Sequence, residues 1–204
     1  MNIIPGLTVV ALACPLALSA QTVTTITFDD LNPGVGNAFA PIPDGYTGLQ
    51  WNGFLVLDVP LQLQLNHSAG GAANGLVSGN NVAVNGAGVP ASVSGAPFNL
   101  NSAYLTAVWN NGLAVEVQGF VGTTLTYDNT YILNTTGSTF INFNYLDVDE
   151  VNFISSGGVD AGYGGHGTHF AMDNLTISTV PEPTTSALAG LGGLSLLLYR
   201  RRRA

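Results

Sequence analysis

Residues 102–133 read SAYLTAVWNNGLAVEVQGFVGTTLTYDNTYIL. Apolar and polar side chains alternate along 102–109, 113–121 and 123–133, the period-two pattern of strands with one buried face. Asn110-Asn111-Gly112 has the composition of a hairpin turn, and Val121-Gly122-Thr123 supports a second tight reversal. The stretch therefore predicts a three-strand meander. Outward from it, 22–28 (TVTTITF) alternates with a slip at Thr24-Thr25, and 61–65 (LQLQL) alternates without fault. Segments 138–145, 150–155 and 168–178 complete the clear set. No window before Thr184 has convincing helical periodicity, apart from the N-terminal apolar run. Roughly nine to eleven short strands separated by turns predict an all-β fold, a single β-sandwich or a closed barrel. Residues 66–95 are the least periodic part, with one strand expected near 81–84. Val77, Val82, Val84 and Val93 argue that this excursion lies against the sandwich, so no domain boundary is placed there.

The charge pattern excludes whole classes of function. The chain has 204 residues with 12 acidic and 4 basic ones, and the basic residues are Arg200, Arg201, Arg202 and Arg203. Residues 21–180 carry 11 carboxylates and no Lys or Arg. Such a body cannot neutralise a phosphate backbone, which removes nucleic acid as a partner. It also lacks the lysine that kinase, nucleotide-hydrolase and PLP chemistry require.

Both ends read as targeting segments. Residues 1–20 form an uncharged apolar run ending in Ala17-Leu18-Ser19-Ala20, as in a secretory signal peptide. Acylation at Cys14 is the competing reading, and Ala11 matches it poorly. Cys14 is the only cysteine, so removal of the signal leaves no disulfide or thiol chemistry. At the far end, Pro181, Glu182 and Pro183 form a stiff spacer before the uncharged stretch 184–199 and the four arginines. As a helix that stretch spans roughly 24 Å at about 1.5 Å per residue. This is short of the ~30 Å hydrocarbon core, a gap that snorkelling arginines narrow. The arginine cluster places its flank in the cytoplasm and residues before 181 outside. A plain tail anchor is the alternative.

The ordered tail of Pro181-Glu182-Pro183, ALAGLGGLSLLLY and arginine cluster resembles the PEP-CTERM sorting signal of Gram-negative bacteria. That resemblance covers about 25 residues. It implies recognition by an exosortase in the inner membrane, then export to the cell surface or extracellular matrix; it implies no activity. Within the body, Gly45-Tyr46-Thr47-Gly48-Leu49-Gln50-Trp51-Asn52-Gly53-Phe54 resembles a stretch of secreted domains often found ahead of such tails. Phe170-Ala171-Met172-Asp173-Asn174-Leu175-Thr176-Ile177 resembles the closing strand of jelly-roll carbohydrate-binding and galactose-binding-like domains. Together they imply a jelly-roll sandwich over 22–178, between a signal helix at 1–20 and a sorting signal with a transmembrane helix at 180–204.

Candidate sites are few. Asp29 and Asp30 end the first strand and Asp173 lies in the last; in jelly rolls these strands often neighbour each other. Without a cation, converging carboxylates need a shared proton or a metal, and hard oxygen ligands suit a structural Ca2+. The alternative is three separate solvated residues. Asp147, Asp149 and Glu150 form the densest acidic cluster, but the E-x-D-x-x-E pattern of jelly-roll glucanases is absent, so a solvated turn is expected. His166 and His169 share a metal only if Gly167 breaks the strand. No G-x-S-x-G turn singles out a nucleophilic serine, so no catalytic residue is assigned. Among the aromatic residues Trp51, Trp109, Tyr46, Tyr104, Tyr127 and Tyr163, exposed rings would stack on sugars while Asn, Gln and Asp fix hydroxyls. Trp109 is expected in the core, and Trp51, Tyr46 and Tyr163 are the ligand-binding candidates. The expected function is a non-enzymatic exported protein that binds polysaccharide. Alternatives are an adhesive coat protein without a specific ligand, an ice-binding protein (Thr22, Thr24, Thr25 and Thr27 give one short row) or a cryptic hydrolase.

Overall fold

The computed structural model describes residues 21–179. The expected signal helix at 1–20 and the sorting tail at 180–204 lie outside the described residues, and among those described no helix is long and apolar enough to cross a membrane. Residues 22–180 form one compact unit.

The chain begins with β1 (Val23–Ile26), β2 (Phe39–Pro41), β3 (Gln50–Asn52) and β4 (Phe54–Asp58). Two short helices follow, α1 (Val59–Asn66) and α2 (Ala72–Gly75). Then come β5 (Asn81–Asn85), β6 (Ala91–Ala107), β7 (Asn110–Asn111) and β8 (Leu113–Val121). β9 (Thr124–Leu133), β10 (Thr139–Ser156), β11 (Val159–Asp160) and β12 (Phe170–Thr179) complete the domain. Ten strands form one antiparallel sheet in the order β2-β4-β5-β12-β6-β10-β8-β9, with β1 added on β12 and β3 on β6.

The sheet folds over on itself through its two longest strands. The N-terminal part of β6 pairs with β3, and the part from Phe98 onward pairs with β12. β10 follows β6 along its length but loses register between Asn142 and Glu150, where Asn144 (φ 53) and Asp147 (φ 58) adopt left-handed backbone. Asn and Asp tolerate that conformation better than other side-chain-bearing residues, and such bulges sharpen strand bending. The Asn99 Oδ1 accepts the Asp147 N–H and pins the bend. Folding over brings Phe54 of β4 against Phe153 of β10 (ring centroids 5.7 Å apart) and Phe153 against Phe170 of β12 (5.9 Å). Neither pair lies on adjacent strands, so these rings mark the interior between two layers. One main core carries Trp51, Phe54, Leu100, Phe143, Tyr145 and Met172, among others. The all-β sandwich expected from the alternation is therefore present.

Two local expectations need correction. Residues 61–65, expected as a strand, lie within α1. The Asp58 carboxylate accepts the Leu61 N–H at 2.9 Å, Pro60 sits in the first turn, and His67 in left-handed conformation ends the helix. An N-terminal cap with proline after it outweighed the alternation, and Leu63 and Leu65 are exposed. The meander is also incomplete. β8 and β9 form the expected hairpin through Gly122 and Thr123, but β10 lies between β6 and β8. The Asn110–Asn111 segment pairs instead with β11. Turn chemistry fixed the reversal, whereas strand neighbours were chosen by burial far along the chain.

Candidate functional site

The outward face of the layer β1-β12-β6-β10 carries an aromatic pair and a row of hydroxyls and amides. Along β10, Ile141, Phe143 and Tyr145 are buried, so alternation turns Phe140 and Asn142 outward. Phe140 is 56% exposed and pairs across strands with the half-buried Tyr104 of β6. Their ring centroids are 5.1 Å apart at 53°. The next outward row crosses four strands: Thr25 faces Thr176, Thr176 faces Ser102, and Ser102 faces Asn142. The Thr25 and Thr176 hydroxyls are 3.1 Å apart. With strands about 4.8 Å apart, this hydroxyl and amide row is roughly 14 Å long. An aromatic pair thus stands beside a line of uncharged hydrogen-bonding groups. Tyr104 was among the aromatic candidates; Phe140 was not, although its phase against Ile141, Phe143 and Tyr145 is readable in the sequence.

One end of this face is closed by α2 and the segment after it. Gly75 lies so close over Thr106 that an added Cβ would sit 2.6 Å from its hydroxyl. Beyond it, Asp173 of β12, fully buried, accepts the Val77 N–H at 2.7 Å and the Ser78 N–H at 2.9 Å through Oδ2. Its Oδ1 accepts the Asn174 N–H at 2.7 Å. Burial pushes the Asp173 carboxyl above its ordinary range, against the pull of these donors, and the nearby Asp29 charge adds to the rise. Asp29 holds the same loop, its Oδ1 accepting the N–H groups of Asn80 and Asn81. Asp30 turns elsewhere and accepts a hydrogen bond from the Tyr46 hydroxyl. Asp29 and Asp173 are thus brought to one loop while Asp30 is not. The donors around them are backbone N–H groups and, at longer range, the Ser78 hydroxyl, 3.5 Å from Asp29 Oδ2 and 3.4 Å from Asp173 Oδ1. A polar hollow of about 340 Å3 beside Asp29, Asp30 and Asp58 opens to solvent. Among the described residues, no three acidic, histidine or cysteine side chains are grouped to hold a metal ion.

The three ligand-binding candidates fare differently. Trp51 is 5% exposed, a core ring edge-on to Phe28 and Phe54, with its Nε1 donating to the Tyr46 carbonyl. Asn52 and Gly53 beside it suggested exposure, but Phe28 and Phe54 bury it, so it offers no stacking face. Tyr46 is half-buried against Phe28 and Trp51 and held by Asp30. Burial first, and that carboxylate second, push its phenol far above the ordinary range. Tyr163 is exposed on the Gly-rich loop, far in sequence from Asn74, whose amide donates to its hydroxyl at 3.4 Å.

Trp109, expected in the core, is half-buried between glycines. Cβ atoms added at Gly70 and Gly165 would come within 2.6 Å and 2.5 Å of its ring. The tryptophan borders a cavity of about 100 Å3 lined by Phe39, Leu55, Leu57, Val108 and His169. That lining is almost wholly apolar and offers sugar hydroxyls little. Burial pushes the His169 imidazole below its ordinary pKa, and His166 adds repulsion. Asp149 accepts the Gly122 N–H and ties the β8–β9 hairpin to β10, while Asp147 sits in the β10 bulge.

Solved structures to which the chain is similar include the following two. A DUF4465 family protein from Bacteroides ovatus is 11% identical with a TM-score of 0.43, over 79% of this chain and 96% of that one. TmCBM61, solved in complex with beta-1,4-galactotriose, is 7% identical with a TM-score of 0.34, over 68% of this chain and 95% of that one. No curated protein matches the sequence. Residues 179–203 match the PEP-CTERM protein-sorting motif, taking in Pro181, Glu182, Pro183 and the four arginines. The chain thus carries an exosortase sorting signal and is an exported protein.

Proposed function

We propose that this is a non-enzymatic protein of the cell surface or extracellular matrix whose sandwich binds polysaccharide on the Tyr104–Phe140 face. The observation that carries the reading is the pair of exposed Phe140 and half-buried Tyr104 set beside the Thr25, Thr176, Ser102 and Asn142 row. A ring face covers the apolar side of a sugar, and neutral hydroxyls and amides exchange hydrogen bonds with its hydroxyls. The non-enzymatic part rests on how the carboxylates are used. Asp29, Asp58, Asp149 and Asp173 each accept backbone N–H groups that hold a loop, cap or turn. Groups so engaged are poor candidates for general acids or bases. Titrating residues 22–180 with exopolysaccharide by calorimetry, with Phe140→Ala alongside, tests the reading. Retained binding in the variant would move any site elsewhere.

The second reading, an adhesive coat protein without a specific ligand, is favoured by the burial of Trp51 and the engagement of Tyr46. Under it, the unaltered domain gives no heat with any polysaccharide.

A further inference from the structure

β9 ends the sheet. It pairs with β8 on one side, and among the described residues no strand lies on its other side. The remaining short strands leave little to pair with: β1 has four residues, β2 and β3 have three each, and β2 ends in Pro41. β9 has ten residues, no proline and a single charge, Asp128. Long open edges are normally guarded by lysine, proline or bulges. Here the chain contains no lysine, and β9 has one bulge, at Thr126, where the partner register jumps from Gly119↔Tyr127 to Phe120↔Leu125. From Tyr127 to Leu133 the strand is regular, and Ile132 near its end is 60% exposed.

We infer that β9 is a self-assembly edge, pairing antiparallel with β9 of a second copy about a two-fold axis through Asn129. The residues select both partner and register. A two-fold axis perpendicular to the sheet places a residue opposite its own counterpart. Centring on Asp128 would oppose two carboxylates directly, which destabilises a strand pair. Centring on Asn129 opposes two neutral amides, sets each Asp128 opposite a Thr130 hydroxyl, and sets each Tyr127 opposite a Tyr131. Tyr127 is already held flat against Tyr145, centroids 4.5 Å apart at 8°, and Tyr131 lies edge-on to Phe143. Both enter the pair ordered, so less side-chain freedom is lost on association. The joined sheet runs β8-β9-β9-β8 through two molecules, an isologous contact. Because each body carries 11 carboxylates and no Lys or Arg, the copies repel at long range. Association therefore strengthens as salt rises, opposite to an interface of complementary charge.

Cysteine trapping on residues 22–180, which hold their own core, tests the register. Directly opposed residues in an antiparallel pair have Cα atoms about 4.5–5.5 Å apart, within the span of a disulfide. With Cys14 lying outside this segment, Asn129→Cys supplies its sole thiol. Under air oxidation it should convert to a disulfide-linked dimer that thiol reductant reverses, whereas Thr130→Cys, which faces Asp128 and not its own counterpart in this register, should convert far more slowly. Sedimentation of the unaltered domain should show a dimer that tightens with salt. Thr130→Asp, folded by circular dichroism, should weaken it roughly tenfold, since it creates two opposed carboxylate pairs. A domain that stays monomeric at high salt and high concentration overturns the inference. So does trapping of Thr130→Cys as fast as Asn129→Cys, or a dimer indifferent to Thr130→Asp.

Discussion

Replacing Asp173 by Asn exchanges one carboxylate oxygen for an amide nitrogen at a site where both oxygens accept. Oδ2 takes the N–H groups of Val77 and Ser78, and Oδ1 takes that of Asn174. The less costly orientation keeps the amide oxygen on Val77 and Ser78 and turns the NH2 toward the Asn174 N–H. One buried donor then loses its acceptor, costing about 1–3 kcal/mol, partly offset because a buried charge is gone. A net loss near 2 kcal/mol lowers the melting temperature by about 4–8 °C in a domain of this size. The pH dependence gives a second readout. The Asp173 pKa is raised in the folded state, so the folded form holds the proton more tightly than the unfolded one. The stability tied to that proton is fully present below the unfolded value of about 3.9 and is lost as pH rises through the folded value. The advantage of the native domain over Asp173→Asn should therefore shrink on going from acid toward neutral pH and then level off. Thermal melts of both proteins across this range, followed by circular dichroism, make the comparison. Melting temperatures within a degree of each other at every pH would refute this account of Asp173.

Three further outcomes follow from particular contacts. Gly165→Ala drives a methyl against the Trp109 ring and should destabilise by about 1–3 kcal/mol with a changed near-ultraviolet spectrum; an unchanged melt would mean the loop does not press on Trp109. Because N–H groups already serve Asp29 and Asp173, melts with EDTA and with calcium should coincide, and a calcium-specific rise of several degrees would restore the structural-ion expectation. Glu182→Ala within the sorting motif should leave the full chain in the inner membrane fraction, and normal export of the variant would contradict the exosortase route.

The sequence carried the fold class because period-two alternation is local, and the β8–β9 hairpin follows it residue by residue. It misled at 61–65, where the alternating leucines are offset by information just outside the run: Asp58 as cap and Pro60 in the first turn. It could not disclose that β10 inserts between β6 and β8, since strand neighbours depend on which apolar faces meet after folding. Asp173 was singled out as a calcium ligand candidate; the groups its carboxylate meets, the N–H groups of residues 77, 78 and 174 and the Ser78 hydroxyl, have no sequence signature. Trp51 was misplaced for a related reason: an aromatic beside Asn52 and Gly53 looks exposed until Phe28 and Phe54 close on it. Phe140 was legible, because Ile141, Phe143 and Tyr145 fix the phase that turns it outward.

Polysaccharide binding on the Tyr104–Phe140 face is the central claim, and calorimetric titration of residues 22–180 with exopolysaccharide measures it directly. The account predicts saturable binding that Phe140→Ala and Tyr104→Ala each weaken by roughly tenfold or more, about 1.4 kcal/mol. Tyr163→Phe, on the Gly-rich loop, should leave the affinity unchanged. Binding lost in Tyr163→Phe but kept in Phe140→Ala, or no heat from the unaltered domain, would contradict it.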